Sequence, residues 1–236
     1  MTENQSGNEN QNAGENASAN ELAQLRTLLI DRPPMARELP AFEVDEAPAG
    51  PGELFVQWLL GAFRAGVPDA QVMVLSTAGP DGRVLVLRDV DPAAGLWWFA
   101  GDADSPKGRQ LAAEPRAALT FYWPQLGRQV RVRGTVQSGE AAAAAEQFRL
   151  LSPNSRTAAL VGRQSEPLTG AEEFRTAWAQ AAAELAREPR TVAEGYTRYA
   201  VRAEEVEFWQ GAADRRHVRL VYRRSADGWQ RGLVWP

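Results

Sequence analysis

The chain has 236 residues, 44% of them hydrophobic, and a formal net charge of -4, enough for one large domain or two small ones around a buried core. It contains no cysteine and one histidine, His217, which excludes disulfides, thiolate nucleophiles, iron–sulfur clusters, Cys-based zinc sites and two-histidine metal sites. No G-x-S-x-G elbow presents a serine nucleophile, the acidic balance opposes general nucleic-acid binding, and no apolar run reaches the roughly 20 residues of a membrane span. Metal-free chemistry with a borrowed organic cofactor, in a cytoplasmic protein without a signal segment, is the class left open.

Residues 1–20 are polar and low in complexity and are expected to be disordered, because they cannot bury enough surface to offset their ordering entropy. Residues 21–50 read as an extended lead-in, with a helical turn or two over Leu22–Ile30 before Pro33-Pro34. The compact domain is expected over residues 51–236. Leu54, Phe55, Trp58, Leu59, Ala62 and Phe63 recur at helical spacing, and Gly66 with Pro68 stops that helix. The period then changes to two. Gln71–Thr77 and Arg83–Val90 predict paired strands around a tight turn at Pro80-Asp81-Gly82.

Strands over Leu96–Ala100, Ala117–Trp123 and Gln129–Gln137 come next. A short helix over Ser105–Ala113, closed by Glu114-Pro115, separates the first two of them. Helices are expected over Gly139–Leu151 and Thr169–Arg187, the second with a capping box between Thr169 and Glu172 and a stripe of Phe174, Trp178, Ala182 and Leu185. Three more strands, Tyr196–Trp209, His217–Arg223 and Trp229–Trp235, complete a mainly β chain with peripheral helices, a pattern that suggests an antiparallel barrel.

Three clusters carry chemistry by residue type. Arg83 and Lys107, with Ser105 at a helix N-terminus, are groups suited to an anion; by spacing alone they fit solvated surface charges as well. Gly162-Arg163-Gln164-Ser165 is a polar loop whose Gln and Ser can bond a heterocycle, or a loop and nothing more. Glu207-Phe208-Trp209-Gln210-Gly211, followed by Arg215, Arg216, His217 and Arg219, places the only histidine among guanidinium groups, which should disfavour its protonated form. That cluster suits an anionic or aromatic substrate, or a basic strand edge that blocks aggregation.

In this order the clusters resemble the pyridoxamine 5′-phosphate oxidase family, over about Glu38 to Pro236. The most specific piece is V-E-F-W-Q-G…R-R-H-V-R from Val206 to Arg219, joined by the S-x-K-G-R-Q-L run from Ser105, R-Q-V at Arg128–Val130 and R-Q-S at Arg163–Ser165. The resemblance implies an antiparallel split β-barrel and a homodimer with FMN at the subunit interface. It implies Arg83 and Lys107 on the FMN phosphate and Val84, Leu85, Leu87, Phe99 and Ala100 along the isoalloxazine. Ser105 belongs with that phosphate site, while Gln129, Gln164, Ser165, Trp209 and Arg219 complete the cofactor site. Arg215 and His217 are implied as catalytic residues facing the substrate, with O2 as the final acceptor and no metal.

The departures point to the substrate. The family's arginine before the phosphate lysine is Pro106 here, and the Asp81-Gly82 hairpin is shorter than the family's. Where the family grips a substrate phosphate with lysine, tyrosine, arginine and serine, this chain has Arg88, Gln147, Leu151 and Ser155. Arg88 and Ser155 remain as substrate-binding candidates. The pattern suggests an oxidase of a reduced or amine-bearing heterocycle in secondary metabolism, similar to the flavin oxidases of phenazine biosynthesis. Two alternatives stand beside it: a pyridoxine/pyridoxamine 5′-phosphate oxidase in which Arg88, Arg149 or Arg156 compensates, and a flavin- or pyridoxal-phosphate-binding protein without catalysis.

Overall fold

The computed structural model describes residues 20–79 and 81–236. The polar segment 1–19 and Pro80 of the expected turn lie outside the described residues. Helix α1 covers residues 20–31, longer than the turn or two expected, and is exposed along its length. The chain beyond it is tied down as a strap. Tyr222 Oη donates to the Pro48 carbonyl at 2.7 Å and Arg231 donates to the Ala47 carbonyl. Leu39 packs over Gly127, where a Cβ would lie 2.7 Å from the leucine methyl.

Helix α2 (Pro51–Arg64) opens with proline at its first turn, where the missing amide is no loss. It buries Leu54, Phe55, Trp58 and Ala62, whereas Phe63, counted on the apolar stripe, is exposed. Phe55 meets Phe121 and Trp97 edge-on, with ring centroids 4.8 and 5.6 Å apart. Burial of each such side chain contributes on the order of 1.5–3 kcal/mol.

Nine strands form one antiparallel sheet: β1 (Val72–Thr77), β2 (Asp81–Val86), β3 (Asp89–Asp91), β4 (Leu96–Asp102), β5 (Arg116–Trp123), β6 (Arg128–Ser138), β7 (Tyr196–Gln210), β8 (Val218–Ser225) and β9 (Gly228–Leu233). The order is β2-β1-β5-β6-β7-β4-β3, with β8 on β7 and β9 on β8. Alternation turns Leu119, Phe121 and Trp123 of β5, Val130 and Val132 of β6 and Trp97 and Phe99 of β4 into one core. Strand β7 is the divide. It pairs with β6 along its length, but its first half carries β4 and its second half β8. The halves separate at a bulge opposite Arg133 and Gly134, where a Cβ on Gly134 would lie 2.0 Å from the Arg202 carbonyl oxygen. This is the split β-barrel.

Several expectations are corrected. Asp81 and Gly82 are paired strand residues opposite Thr77 and Ser76, so the turn lies before them, with Gly79 at φ 75°. The single strand expected over Arg83–Val90 is two. At Leu87 and Arg88 the chain leaves β1 for β4, with the Leu87 amide on the Gln71 carbonyl and the Arg88 amide on the Trp98 carbonyl at 2.8 Å. One helix expected over Gly139–Leu151 is α4 (Ala141–Arg149), and a second, α5 (Pro153–Val161), was not anticipated. Its signal was Ser152-Pro153: Ser152 Oγ accepts from the Ser155 amide at 3.2 Å and proline takes the first helical position. Helix α6 (Ala171–Arg187) is capped through Glu173, not Glu172: Glu173 accepts from the Thr169 amide and hydroxyl at 2.9 and 2.7 Å.

Candidate functional site

The remaining helix, α3 (Pro106–Ala113), turns the end of β4 into an anion cradle. Ser105 caps it, accepting from the Gly108 amide at 3.3 Å and donating to the Asp102 carbonyl at 2.6 Å. Pro106 sits at the first helical position, so the arginine it replaces is exchanged for a well-seated helix start. Gly108 is needed for the tight approach: a Cβ there would lie 2.1 Å from the Ala103 carbonyl oxygen.

Lys107 folds back over Gly101, where a Cβ would lie 2.6 Å from its Cε, and is 8% exposed. Its Nζ donates to Ser105 Oγ at 2.9 Å and to Gln164 Oε1 at 2.5 Å. Arg83, from β2, donates to Thr77 Oγ1 at 2.7 Å and Gln110 Oε1 at 3.1 Å and pairs with Asp81. Burial pushes the Lys107 ammonium below the ordinary lysine value; the Asp102 carboxylate opposes this and the Arg83 guanidinium reinforces it. Among the described residues no carboxylate lies within ion-pair distance of Lys107, so a buried cation is held by neutral groups alone. That arrangement fits a phosphate group.

The loop from Gly162 to Ser165 delivers Gln164 to this ammonium. Gly162 (φ 59°), Arg163 (φ 55°) and Ser165 (φ 69°) are left-handed, a strained stretch that is anchored from outside. Arg163 pairs with Glu166 at 2.9 Å and Glu173 at 2.8 Å. The Thr169 hydroxyl and amide, with Arg163, pull the Glu173 carboxyl down to about 2. Ser165 itself is exposed.

Beside the cradle, a cleft of about 280 Å³ is lined by Arg88, Ala100, Asp102, Leu151, Ser155 and Tyr196, among others. Arg88 reaches it because the chain changes neighbours at that residue. Val84 is exposed and Leu85 half-buried, but the side chains of Leu87 and Phe99 belong to the core, Phe99 stacked on Tyr199 at 5.4 Å. Arg156 is spent elsewhere, donating to the Thr191 carbonyl at 3.2 Å, and Arg149 is exposed outside the cleft lining. Tyr196 was missed. Its hydroxyl donates to Gln147 Oε1 at 3.1 Å, so a tyrosine from β7 stands against the glutamine that occupies the family's tyrosine position.

The other sequence-derived residues gather at the far end of β7. Gln129, Trp209 and Arg219 are direct cross-strand neighbours on β6, β7 and β8. The Trp209 and His217 rings lie 4.9 Å apart, and His217 Nδ1 accepts from the Ala212 amide at 3.0 Å. Two of the surrounding cations are already matched: Arg216 donates to Asp214 at 2.7 Å and Arg219 to Glu207 at 2.8 Å. Arg215, at φ 67°, is exposed. Gly101 of the cradle pairs with Thr197, and Thr197 and Trp209 are separated by about 40 Å of strand at roughly 3.3 Å per residue. Within one copy of the chain the two groups of residues therefore lie at opposite ends of β7.

Fold and cradle together define a split-barrel protein with a buried cationic anchor beside an open cleft. The model of the pyridoxamine 5′-phosphate oxidase matches residues 59–210, and that of the pyridoxine 5′-phosphate oxidase C-terminal dimerisation region matches residues 196–236. A pyridoxine/pyridoxamine 5′-phosphate oxidase of Thermosynechococcus vestitus is 38% identical over 196 residues, 81% of this chain and 91% of the relative. One from a Nocardioides species is 40% identical, covering 79% and 88%. Among solved structures, PhzG of Burkholderia lata in complex with tetrahydrophenazine-1-carboxylic acid superposes with a TM-score of 0.77 at 24% identity, covering 85% of this chain and all of that one. The chain belongs to the pyridoxamine 5′-phosphate oxidase family.

Proposed function

We propose that this protein is an FMN-dependent oxidase that works as a homodimer. The observation that carries the reading is the Lys107 ammonium, buried among neutral donors and acceptors with Arg83 nearby. An anion relieves both its desolvation and the repulsion from Arg83. Ser105, Lys107, Gln164 and Arg83 would hold the FMN phosphate, and Val84, Leu85 and Ala100 would flank the ring. The chemistry supplied by bound FMN is acceptance of a hydride from a substrate carbon and return of the electrons to O2, giving peroxide.

The separation of the half-sites is the reason for the dimer. The cradle of one copy is completed by Gln129, Trp209, Arg215, His217 and Arg219 of a second, through a symmetric arrangement. Because His217 Nδ1 already accepts a hydrogen bond, its neutral ring carries the proton on Nε2. His217 thus orients and polarises a substrate oxygen or anionic group as a donor, and Arg215 supplies charge beside it. The substrate is a reduced or amine-bearing heterocycle. With Leu151 in place of an arginine and Arg149 and Arg156 outside the cleft, the preferred substrate lacks a phosphate.

A second reading is favoured by the 38–40% identity to pyridoxine/pyridoxamine 5′-phosphate oxidases and by Arg88, Ser155 and Tyr196 in one cleft. Anaerobic titration of the FMN-loaded protein with pyridoxine 5′-phosphate separates the two. Bleaching of the yellow colour at micromolar ligand supports the second reading. A protein that stays yellow, and bleaches with an unphosphorylated heterocycle, supports the first. A protein that cannot take up FMN rejects both.

A further inference from the structure

Tyr196 is the first residue of β7 and stands opposite Asp102. Its ring is held edge-on by Phe148, centroids 5.0 Å apart, and its hydroxyl by Gln147 at 3.1 Å. The Gln147 amide can turn either its oxygen or its NH2 to that hydroxyl, which leaves the hydroxyl free to donate into the cleft. Arg88 shares the cleft, and both Arg88 and Arg198 act on the tyrosine, partly offsetting the rise in its pKa that burial causes. Arg198 is otherwise engaged, stacked over Trp98 at 4.5 Å and facing Asp89 at 3.6 Å.

Among the described residues that line the cleft, the charges are then one guanidinium, Arg88, and one carboxylate, Asp102. A phosphate monoester brings about -1.5 to -2 charges at neutral pH, and one cation beside a carboxylate balances that poorly. A carboxylate brings one charge and two coplanar oxygens, which match the fork of an arginine. Ser155 and Tyr196 add neutral donors, and Leu151 and Ala100 offer apolar surface to a ring. We infer that Tyr196 is a substrate-recognising residue of this cleft, which with Arg88 and Ser155 selects a planar ring bearing a single carboxylate over one bearing a phosphate.

The inference rests on the flavin reading of the neighbouring cradle, and the test separates the two. The FMN-loaded protein is titrated with naphthoate, naphthyl phosphate and neutral naphthalenemethanol, following the visible spectrum of the bound flavin. Naphthoate is expected to bind at least about tenfold more tightly than the phosphate ester. Tyr196→Phe should weaken naphthoate about three- to tenfold and leave the neutral alcohol unchanged. Arg88→Lys, which keeps the charge and loses the fork, should weaken naphthoate about tenfold. Asp102→Asn should narrow the gap between the two anions. Equal or tighter binding of the phosphate ester overturns the inference, as does a Tyr196→Phe variant that loses naphthoate and alcohol alike. A wild-type protein that stays colourless with FMN overturns the flavin reading itself, and this assignment with it.

Discussion

The two ends of β7 are built in different ways. At the Tyr196 end, the functional groups come from elements far apart in sequence: Arg83 from β2, Lys107 from α3 and Gln164 from the α5–α6 loop. Lys107, a buried cation, is bonded by the neutral Ser105 and Gln164, while Arg83 is held separately by Thr77, Gln110 and Asp81. At the Trp209 end, the groups come from a ladder of direct strand neighbours, and the cations there are largely matched by carboxylates such as Glu207 and Asp214. The first end is poised for an anion. The second is internally balanced and presents His217 and Arg215 outward. The difference is what the proposed roles build on: an anion anchor at the first end, and polarising groups at the second that would act in a partner copy.

The largest expected effect tests the second assignment. His217→Ala should keep FMN bound and slow anaerobic reduction by substrate roughly a hundredfold or more, as read by stopped-flow absorbance. Loss of the flavin instead would make that end an anchoring site too. Mixing His217→Ala chains with Lys107→Ala chains under subunit exchange should then restore about a quarter of the wild-type rate, since half the dimers are mixed and each holds one intact site. No recovery would mean that the two ends do not meet across an interface.

Lys107→Ala should weaken FMN about tenfold to a hundredfold in a fluorescence titration, with His217 untouched. The pH dependence sharpens this. The ammonium binds the anion, and its pKa lies below the ordinary lysine value. FMN affinity should therefore begin to fall, as pH rises, below the range where a free lysine deprotonates. Over that same window the FMN-free protein should gain stability, because there the unfolded chain binds the extra proton. The smallest effect belongs to the loop anchor. Glu173 titrates at about 2 rather than 4.5. Its contribution is present above 4.5 and is lost as pH falls toward about 2. Glu173→Gln should remove that acid-dependent part of the thermal midpoint and loosen FMN slightly through Gln164.

The sequence by itself determined most of the strand and helix alternation, the inward Phe55 and Trp58 of α2, the helix start at Ser105 and the motif that marks the family. These follow from local periodicity and capping chemistry, which depend on neighbours a few residues away. It also determined the residue types at both ends of β7. Only the tertiary structure decided which of them meet. The change of strand partner at Leu87–Arg88, the contact of Gln164 with Lys107 and the approach of Tyr196 to Gln147 all depend on contacts between distant segments. The family resemblance implied Leu87 and Phe99 along the ring, but their side chains belong to the core, because a motif carries residue identities and not which face the fold buries. The separation of the two residue groups, set by the length of β7, could not be read from either motif alone.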